Sequence, residues 1–316
     1  MADLFDISVR RQIYIEGLKT KKGSEWAALL SQLRRELELR LGQVPGENLG
    51  ELSKNAVRRL IIDLRAIAKR VFDPWLRKLI EWLRSFVDAD RDILVDLYAP
   101  SAPDEDAAKA VQAVKSDDLY GAAILAPLAA TGTLALPFLL ALLPSAMVKL
   151  DRLTMQHFAQ HSKIADLKAA IVGTAANKFN DGTIRQFQRQ AEATTNTVLQ
   201  HLANQVNEAV GSKIVGFYEW VSVLDDRTTK ICTDRDGNRY AYGRGPIPPA
   251  HIGCRSTTVP SPIGAPKTPN SFAEWIASQP TEFINDALDG QRRARYEGSP
   301  PIDLAQYVGK RAIIGL

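Results

Sequence analysis

Apolar residues recur at three- and four-residue steps along most of this chain, and that period predicts a mainly helical protein. The longest example is Lys54–Val87, where an apolar stripe runs beside a face rich in basic residues. Ser24–Leu41 repeats the pattern, as do two stretches within 149–212, and Gly42 stands where a helix would end. Pro74 should break or kink the longest helix, because its ring removes a backbone donor and clashes with the preceding turn.

The pattern changes after Lys213, where β-branched and aromatic residues become frequent. Ile214–Leu224 predicts a strand. Ile231–Arg235 and Arg239–Tyr242 flank Asp236-Gly237-Asn238, a turn sequence that is typical of a β-hairpin. We therefore expect a mainly α fold with a small β-hairpin module near the C-terminus, an α+β arrangement.

These changes divide the chain into six predicted parts. They are an N-terminal helical region (1–98), a linker with a short helix (99–118), an apolar segment (119–148), a second helical region (149–212), the β-hairpin module (213–260), and a loop with a C-terminal helical tail (261–316).

The apolar segment, Leu119–Val148, contains 30 residues without a charge. That length would span a bilayer, which needs about 20 apolar residues. Three prolines interrupt the segment and leave each continuous apolar piece short: Pro127, Pro137 and Pro144. Two interpretations stay open, namely a helical hairpin buried in a core or an oligomer interface, and a segment that meets a membrane.

Overall charge does not indicate a strongly basic protein. The 316 residues include 40 Lys and Arg against 36 Asp and Glu, for a net charge of +4. The longest helical pattern is a local exception, since it holds nine basic and three acidic residues. Such a helix is either a bundle helix with a solvated basic face or a contact for DNA, a membrane or an acidic partner. The candidate contacts are Arg58, Arg59, Arg65, Lys69, Arg70, Arg77 and Lys78.

The two cysteines, Cys232 and Cys254, are too few for a disulfide-framed secreted domain. The first twelve residues contain no apolar stretch of the kind found in signal peptides. We therefore expect synthesis in a reducing cytoplasm.

A block of ordered residues begins at Trp220 and reads WVSVLDDRTTKIC, then DGNRY, then PPAHIGCRS. This order resembles the phage head morphogenesis family, the Mu F-like minor head proteins. That family has W, D-x-R-T, a Cys, D-G, a Gly- and Pro-rich loop, and P-P-x-H-x-x-C-R. The matching positions are Trp220, Asp226 with its neighbour Asp225, Arg227, Thr228, Cys232, Asp236, Gly237, Pro248, Pro249, His251, Cys254 and Arg255. With the tail from Ser271, the resemblance covers about residues 180–316.

The resemblance implies a structural protein of a bacteriophage virion rather than an enzyme. It implies binding to the portal protein, the major capsid protein or other virion proteins, in several copies per virion. It also implies a place in the head, near or inside the portal vertex, after synthesis in the host cytoplasm. A role in packaging or ejecting dsDNA would follow. Two alternatives stay open: an ejected, membrane-active protein that helps genome delivery, and a metal-dependent nuclease.

The candidate metal ligands are Cys232, His251 and Cys254, which the predicted hairpin would bring together. Thiolate and imidazole bind Zn²⁺, and a closed structural site needs four ligands. The family often has further cysteines where this chain has Thr229 and Ser256, so the fourth ligand would be Asp225, Asp234, Asp236 or a water. The alternatives are a disulfide, or buried thiols with His251 bonded to a backbone carbonyl. No cofactor is otherwise expected.

The acidic residues near the block are interpreted as structural. Asp226 and Arg255 form a candidate salt bridge across the module. Paired carboxylates could also hold Mg²⁺ in a nuclease, but the neighbouring arginines favour ion pairing. No catalytic residue is predicted.

Overall fold

The computed structural model describes residues 4–224, 227–262 and Pro280. The α-helices are α1 (Leu4–Gly42), α2 (Lys54–Tyr98), α3 (Glu105–Gln112), α4 (Ser116–Ile124), α5 (Ala135–Leu140), α6 (Leu142–Ala159), α7 (Ile164–Val172), α8 (Thr183–Gly211) and α9 (Lys230–Arg235). Short 3-10 helices cover Leu49–Glu51 and Ala99–Ser101. The strands are β1 (Phe217–Val221), β2 (Arg239–Ala241) and β3 (Thr257–Ser261).

The three strands form one antiparallel sheet with β1 in the centre and the order β2-β1-β3. Phe217 at the start of β1 lies opposite both Ala241 of β2 and Ser261 of β3. The expected fold class is confirmed, since the described chain is mainly helical and its sheet lies near the C-terminus.

The expected hairpin strand at Ile231–Arg235 is wrong, because Lys230–Arg235 forms helix α9. The carbonyl of Thr229 accepts the backbone N–H groups of Cys232 and Thr233, and Lys230 forms an ion pair with Asp234 one turn later. Such pairs stabilise a helix. In place of the expected hairpin, β2 pairs with β1. Helix α9 lies in the connection between these two strands.

Of the break or kink expected at Pro74, the break does not occur, because α2 runs through this residue without interruption for 45 residues. A proline inside a helix costs about 3 kcal/mol. Apolar packing on both sides of the proline offsets that cost. Phe72 and Leu76 are buried, and the ring of Trp75 lies 3.8 Å from the ring of Trp26 on α1.

The chain folds into two compact units that cut across the predicted parts. Among the described residues, the first unit contains 4–19, Trp82–Ala135, 196–224, 227–262 and Pro280, and the second contains Thr20–Glu81 and Leu136–Thr195. Each of the three longest helices contributes to both units. In the second unit, Trp26 is fully buried and its indole N–H donates to the Thr195 hydroxyl at 2.9 Å.

The apolar segment 119–148 contains most of α4, a turn closed by a bridge between Pro127 and Leu134, then α5 and the start of α6. Pro137 and Pro144 lie in the first turns of their helices, where the missing N–H has no helical acceptor to lose. Several apolar side chains are exposed, among them Val148 with 54% of its surface. Among the described residues, no helix has both the length and the apolar character needed to cross a membrane.

Candidate functional site in the C-terminal module

The residues that resemble the minor head proteins lie mostly in β1, α9, β2, β3 and their connections, which we call the C-terminal module (213–262). Trp220 on β1 is fully buried. Its backbone N–H donates to Asn238 at 2.9 Å, and its carbonyl accepts the N–H of Gly237 at 2.8 Å. Gly237 has a φ of 68°, a conformation that favours glycine, so the turn depends on this residue type.

Ser222 connects the parts of the module, although the block's resemblance to the family gave it no role. Its hydroxyl accepts the indole N–H of Trp220 at 2.9 Å, and it lies 3.0 Å from both the Cys232 carbonyl and the Ser256 hydroxyl. Its backbone N–H donates to the Asp236 carboxylate at 2.6 Å. Asp236 thus stabilises the end of β1.

Cys232, His251 and Cys254 lie together as the sequence predicts. Their ligand atoms are all within 4.8 Å of one another, and both thiols are buried. Helix α9 presents Cys232, while the loop before β3 presents His251 and Cys254. Trp220 packs against the two cysteines, with Tyr240 and Ala250 at the edge of the cluster.

The two sulfur atoms are 3.7 Å apart and share a hydrogen bond. A hydrogen bond from the Cys232 thiol lowers the pKa of Cys254, because it stabilises the thiolate there. The same contact, together with burial, raises the pKa of Cys232. The shared hydrogen bond therefore moves the two pKa values in opposite directions.

The three donor groups fit a tetrahedral, thiolate-rich site for a metal ion such as Zn²⁺. Two thiolates bound at about 2.3 Å in a tetrahedron would lie about 3.8 Å apart, close to the separation of Cys232 and Cys254. The Nδ1 atom of His251 lies 2.9 Å from the carbonyl of Ile252. A hydrogen bond donated there leaves the Nε2 lone pair for a ligand role, as in many metal sites.

Among the described residues, the cluster offers three protein ligands and no fourth. Asp234 pairs with Lys230 on the surface of α9, and Asp236 holds the backbone of Ser222. Asp225 lies outside the described residues. Of the other candidates for a fourth ligand, only a water remains once Asp234 and Asp236 are set aside. The same geometry also fits the alternative of buried thiols with His251 bonded to a carbonyl.

The remaining residues of the block have varied surroundings. Pro248 and Pro249 are buried and joined by a cis peptide bond, Thr228 and Arg255 are half-buried, and Arg227 is exposed. The expected salt bridge between Asp226 and Arg255 involves a residue outside the described ones.

A row of buried polar side chains on α8 holds the module in the first unit, and sequence reasoning missed it. Thr197 accepts the backbone N–H of Gly253 at 3.1 Å, and Gln200 donates to the carbonyl of Ser256 at 3.1 Å. Asn207 donates to the carbonyl and the hydroxyl of Thr258 at 2.7 and 2.8 Å. The signal was the spacing of these polar residues, which puts them on one helical face.

The predicted basic face of α2 is exposed along its length in the second unit. Arg65, Lys69 and Arg70 form ion pairs with Asp151, Asp73 and Glu36, respectively. Four cations of the face have no acidic partner among the described residues: Arg58, Arg59, Arg77 and Lys78. These four remain available to an anionic partner.

Comparisons of the chain with protein-family models, with characterised proteins and with solved structures found no match. The likeness to the minor head proteins therefore rests on the residues of the block itself.

Proposed function

We propose that this chain is a structural minor head protein of a bacteriophage virion, which associates with portal or capsid proteins during head assembly. The observation that carries this proposal is the set of hydrogen bonds around Ser222. Its hydroxyl and backbone N–H together bond to four residues of the block: Trp220, Cys232, Asp236 and Ser256. Residues far apart in the block thus build one buried, hydrogen-bonded scaffold. A rigid scaffold of this kind suits a docking unit, which works through its interfaces.

The basic face of α2 supports a second contact in the same role. Its four cations without an acidic partner could neutralise phosphates of packaged dsDNA or carboxylates of a virion protein. We place the protein in the head, near or inside the portal vertex, in several copies. Its action there would aid genome packaging or ejection.

The test uses phage particles whose genome encodes this chain. Mass spectrometry of purified proheads and virions should find the protein in both, and electron cryomicroscopy should locate extra density at the portal vertex of wild-type heads only. The matched control is a phage with a nonsense codon at Trp26, whose heads should lack both the protein and the density. The intact gene on a plasmid should restore both. Absence of the protein from both particles would contradict the virion role. Its loss from emptied heads would instead favour the ejected alternative.

A second candidate function is metal binding, which the three-ligand cluster favours. Bound Zn²⁺ would tie α9 to the loop before β3 and so stabilise the module. Elemental analysis of protein purified without a histidine tag should find about one zinc per chain. Cys254→Ser should abolish this binding, whereas His157→Gln, which changes a histidine outside the cluster, should preserve it. Equal zinc in both variants, or none in the wild type, would rule out this site.

A further inference from the structure

The two cysteines of the chain, Cys232 and Cys254, are free thiols in direct contact with each other. Their sulfur atoms share a hydrogen bond at 3.7 Å. A disulfide bond is about 2.05 Å long, so the two sulfurs would have to approach by about 1.7 Å to form one. Because the chain has no third cysteine, the two thiols can join within the chain in one way only.

Helix α9 is anchored by few buried atoms, and this determines how a reagent can reach the pair. Of its six described residues Cys232 alone is buried, whereas Lys230, Ile231 and Thr233 are exposed. An element with so little buried surface opens locally at a fraction of the global free energy of unfolding. A ring nitrogen of the half-exposed His251 also lies within 4.8 Å of both sulfurs, so the pair is close to the surface.

A covalent bond at this position would fasten two segments that hydrogen bonds now connect. The Ser222 hydroxyl contacts the Cys232 carbonyl on α9 and the Ser256 hydroxyl just before β3. A bond between residues 22 positions apart closes a loop and so restricts the unfolded chain. Provided that the folded chain accepts the bond without distortion, the disulfide should stabilise the module.

We propose that Cys232 and Cys254 form a reversible disulfide when the protein meets a small-molecule disulfide in an oxidising medium. One cysteine, as its thiolate, attacks a sulfur of the small disulfide, whose S–S bond breaks and releases one thiolate. The other cysteine then loses its proton and attacks the protein sulfur of the mixed disulfide, which expels the second half. The chain loses two electrons and two protons, and the small disulfide becomes two thiols. Excess thiol reverses both steps.

This modification uses the same two sulfurs as the candidate metal site, but it requires neither a bound ion nor the virion role. A metal ion and a disulfide exclude each other, because the ion binds the sulfurs as thiolates. If the metal site exists, added Zn²⁺ should slow oxidation at least tenfold. If Zn²⁺ leaves the rate unchanged, the metal site fails while the disulfide inference stands.

The probe is oxidised glutathione, added to the full folded chain after purification with a reductant and removal of metal with EDTA. Urea with iodoacetamide then unfolds the chain and labels the remaining thiols for intact mass spectrometry. We expect the loss of both labels, a link between Cys232 and Cys254 in the peptide map, and a rise in Tm of about 5 °C. Dithiothreitol should reverse all three. Cys254→Ser retains one thiol and should gain no such rise.

Three results with the wild-type chain would overturn the inference. The first is that both thiols of the folded chain survive conditions that oxidise the urea-unfolded chain, which would mean that the pair is sealed. The second is arrest at a glutathione adduct, which would mean that the two sulfurs cannot meet. The third is a disulfide that does not raise Tm, which would mean that the bond distorts the module. All three stand even if the variant fails to fold.

Discussion

The sulfur atoms of Cys232 and Cys254 lie 3.7 Å apart in the core of the C-terminal module, although 22 residues separate them in the chain. Helix α9 and the loop before β3 bring them together, and Trp220 of the central strand covers them. The hydroxyl of Ser222 forms hydrogen bonds with the Cys232 carbonyl on α9 and with the Ser256 hydroxyl just before β3. Ser222 thus connects the two segments that carry the cysteines.

Ser222→Ala should destabilise the protein by about 1–3 kcal/mol, because it leaves the indole N–H of Trp220 and the hydroxyl of Ser256 without this buried partner. Urea unfolding followed by tryptophan fluorescence measures the change. Ser212→Ala is the matched control, since the Ser212 hydroxyl is exposed and makes one long bond to Ala209. Equal stability of the two variants would show that Ser222 has no special role.

Asp90→Asn should destabilise the first unit by about 3–5 kcal/mol, because it leaves the buried guanidinium of Arg11 without its counter-charge. Arg11 donates to Asp90 at 2.7 Å, and the two side chains are 3% and 1% exposed. Thermal unfolding gives the measurement.

The control for this ion pair is Asp117→Asn, which breaks the exposed pair of Asp117 with Arg84. An exposed pair contributes about 0–1 kcal/mol, so this variant should stay close to the wild type. If the two substitutions cost the same, the buried pair would not be a main source of stability.

His201 should make the stability of the first unit depend on pH. Burial lowers the pKa of His201 below its usual 6.5, while its hydrogen bond to the Ala123 carbonyl at 3.0 Å partly opposes that shift. The unfolded chain therefore binds the proton more readily than the folded one. Its contribution to stability is complete above about pH 6.5 and is lost as the pH falls, by up to about 1.4 kcal/mol per pH unit.

His201→Gln keeps a donor for the Ala123 carbonyl and removes the titration, so stability should vary less between pH 7 and pH 5. Chemical unfolding at a series of pH values measures the slope. His161→Gln changes an exposed histidine and should leave the wild-type slope in place. A slope that is unchanged in the His201 variant would assign the pH dependence to other groups.

Reversing two charges on the basic face of α2 should weaken binding to an anionic partner. We expect Arg58→Glu with Arg59→Glu to lower the affinity for dsDNA at least tenfold at low salt, and to reduce the dependence of affinity on salt. Fluorescence anisotropy with a labelled duplex gives both quantities. The control, Lys109→Glu with Lys115→Glu, makes the same change of charge on exposed residues of the first unit. Equal losses in both variants would mean that net charge, and not this face, drives binding.

The exposed apolar side chains of the segment 119–148 separate the structural proposal from the membrane-active alternative. Leu140 and Val148 are 42% and 54% exposed. If they face another protein, the chain should not float with vesicles of phosphatidylglycerol and phosphatidylethanolamine in a density gradient. Flotation that Leu140→Ser with Val148→Ser abolishes would support membrane contact instead. Ile62→Ser on α2, which also removes an exposed apolar side chain, is the control.

Local patterns in the sequence determined the helices, the central strand and the members of the metal-type cluster. The reason for the helices and the strand is that residues a few positions apart determine the face of such an element. The reason for the cluster is that the chain has only two cysteines, so few other sets of metal ligands are possible. The period of apolar residues in 54–87 predicted the start and most of α2, which continues to Tyr98, and the density of β-branched and aromatic residues after Lys213 predicted a strand where β1 lies.

Only the tertiary structure decided the state of Ile231–Arg235, the passage of α2 through Pro74, and the polar row of α8. In the first case a turn sequence next to apolar residues fits a hairpin locally, but the pairing of β2 with β1 leaves that stretch free to form α9. In the second, packing of Trp75 on Trp26 outweighs a local cost. In the third, the spacing of Gln200 and Asn207 indicates a shared helical face, but their partners lie more than fifty residues away, and no local pattern identifies them.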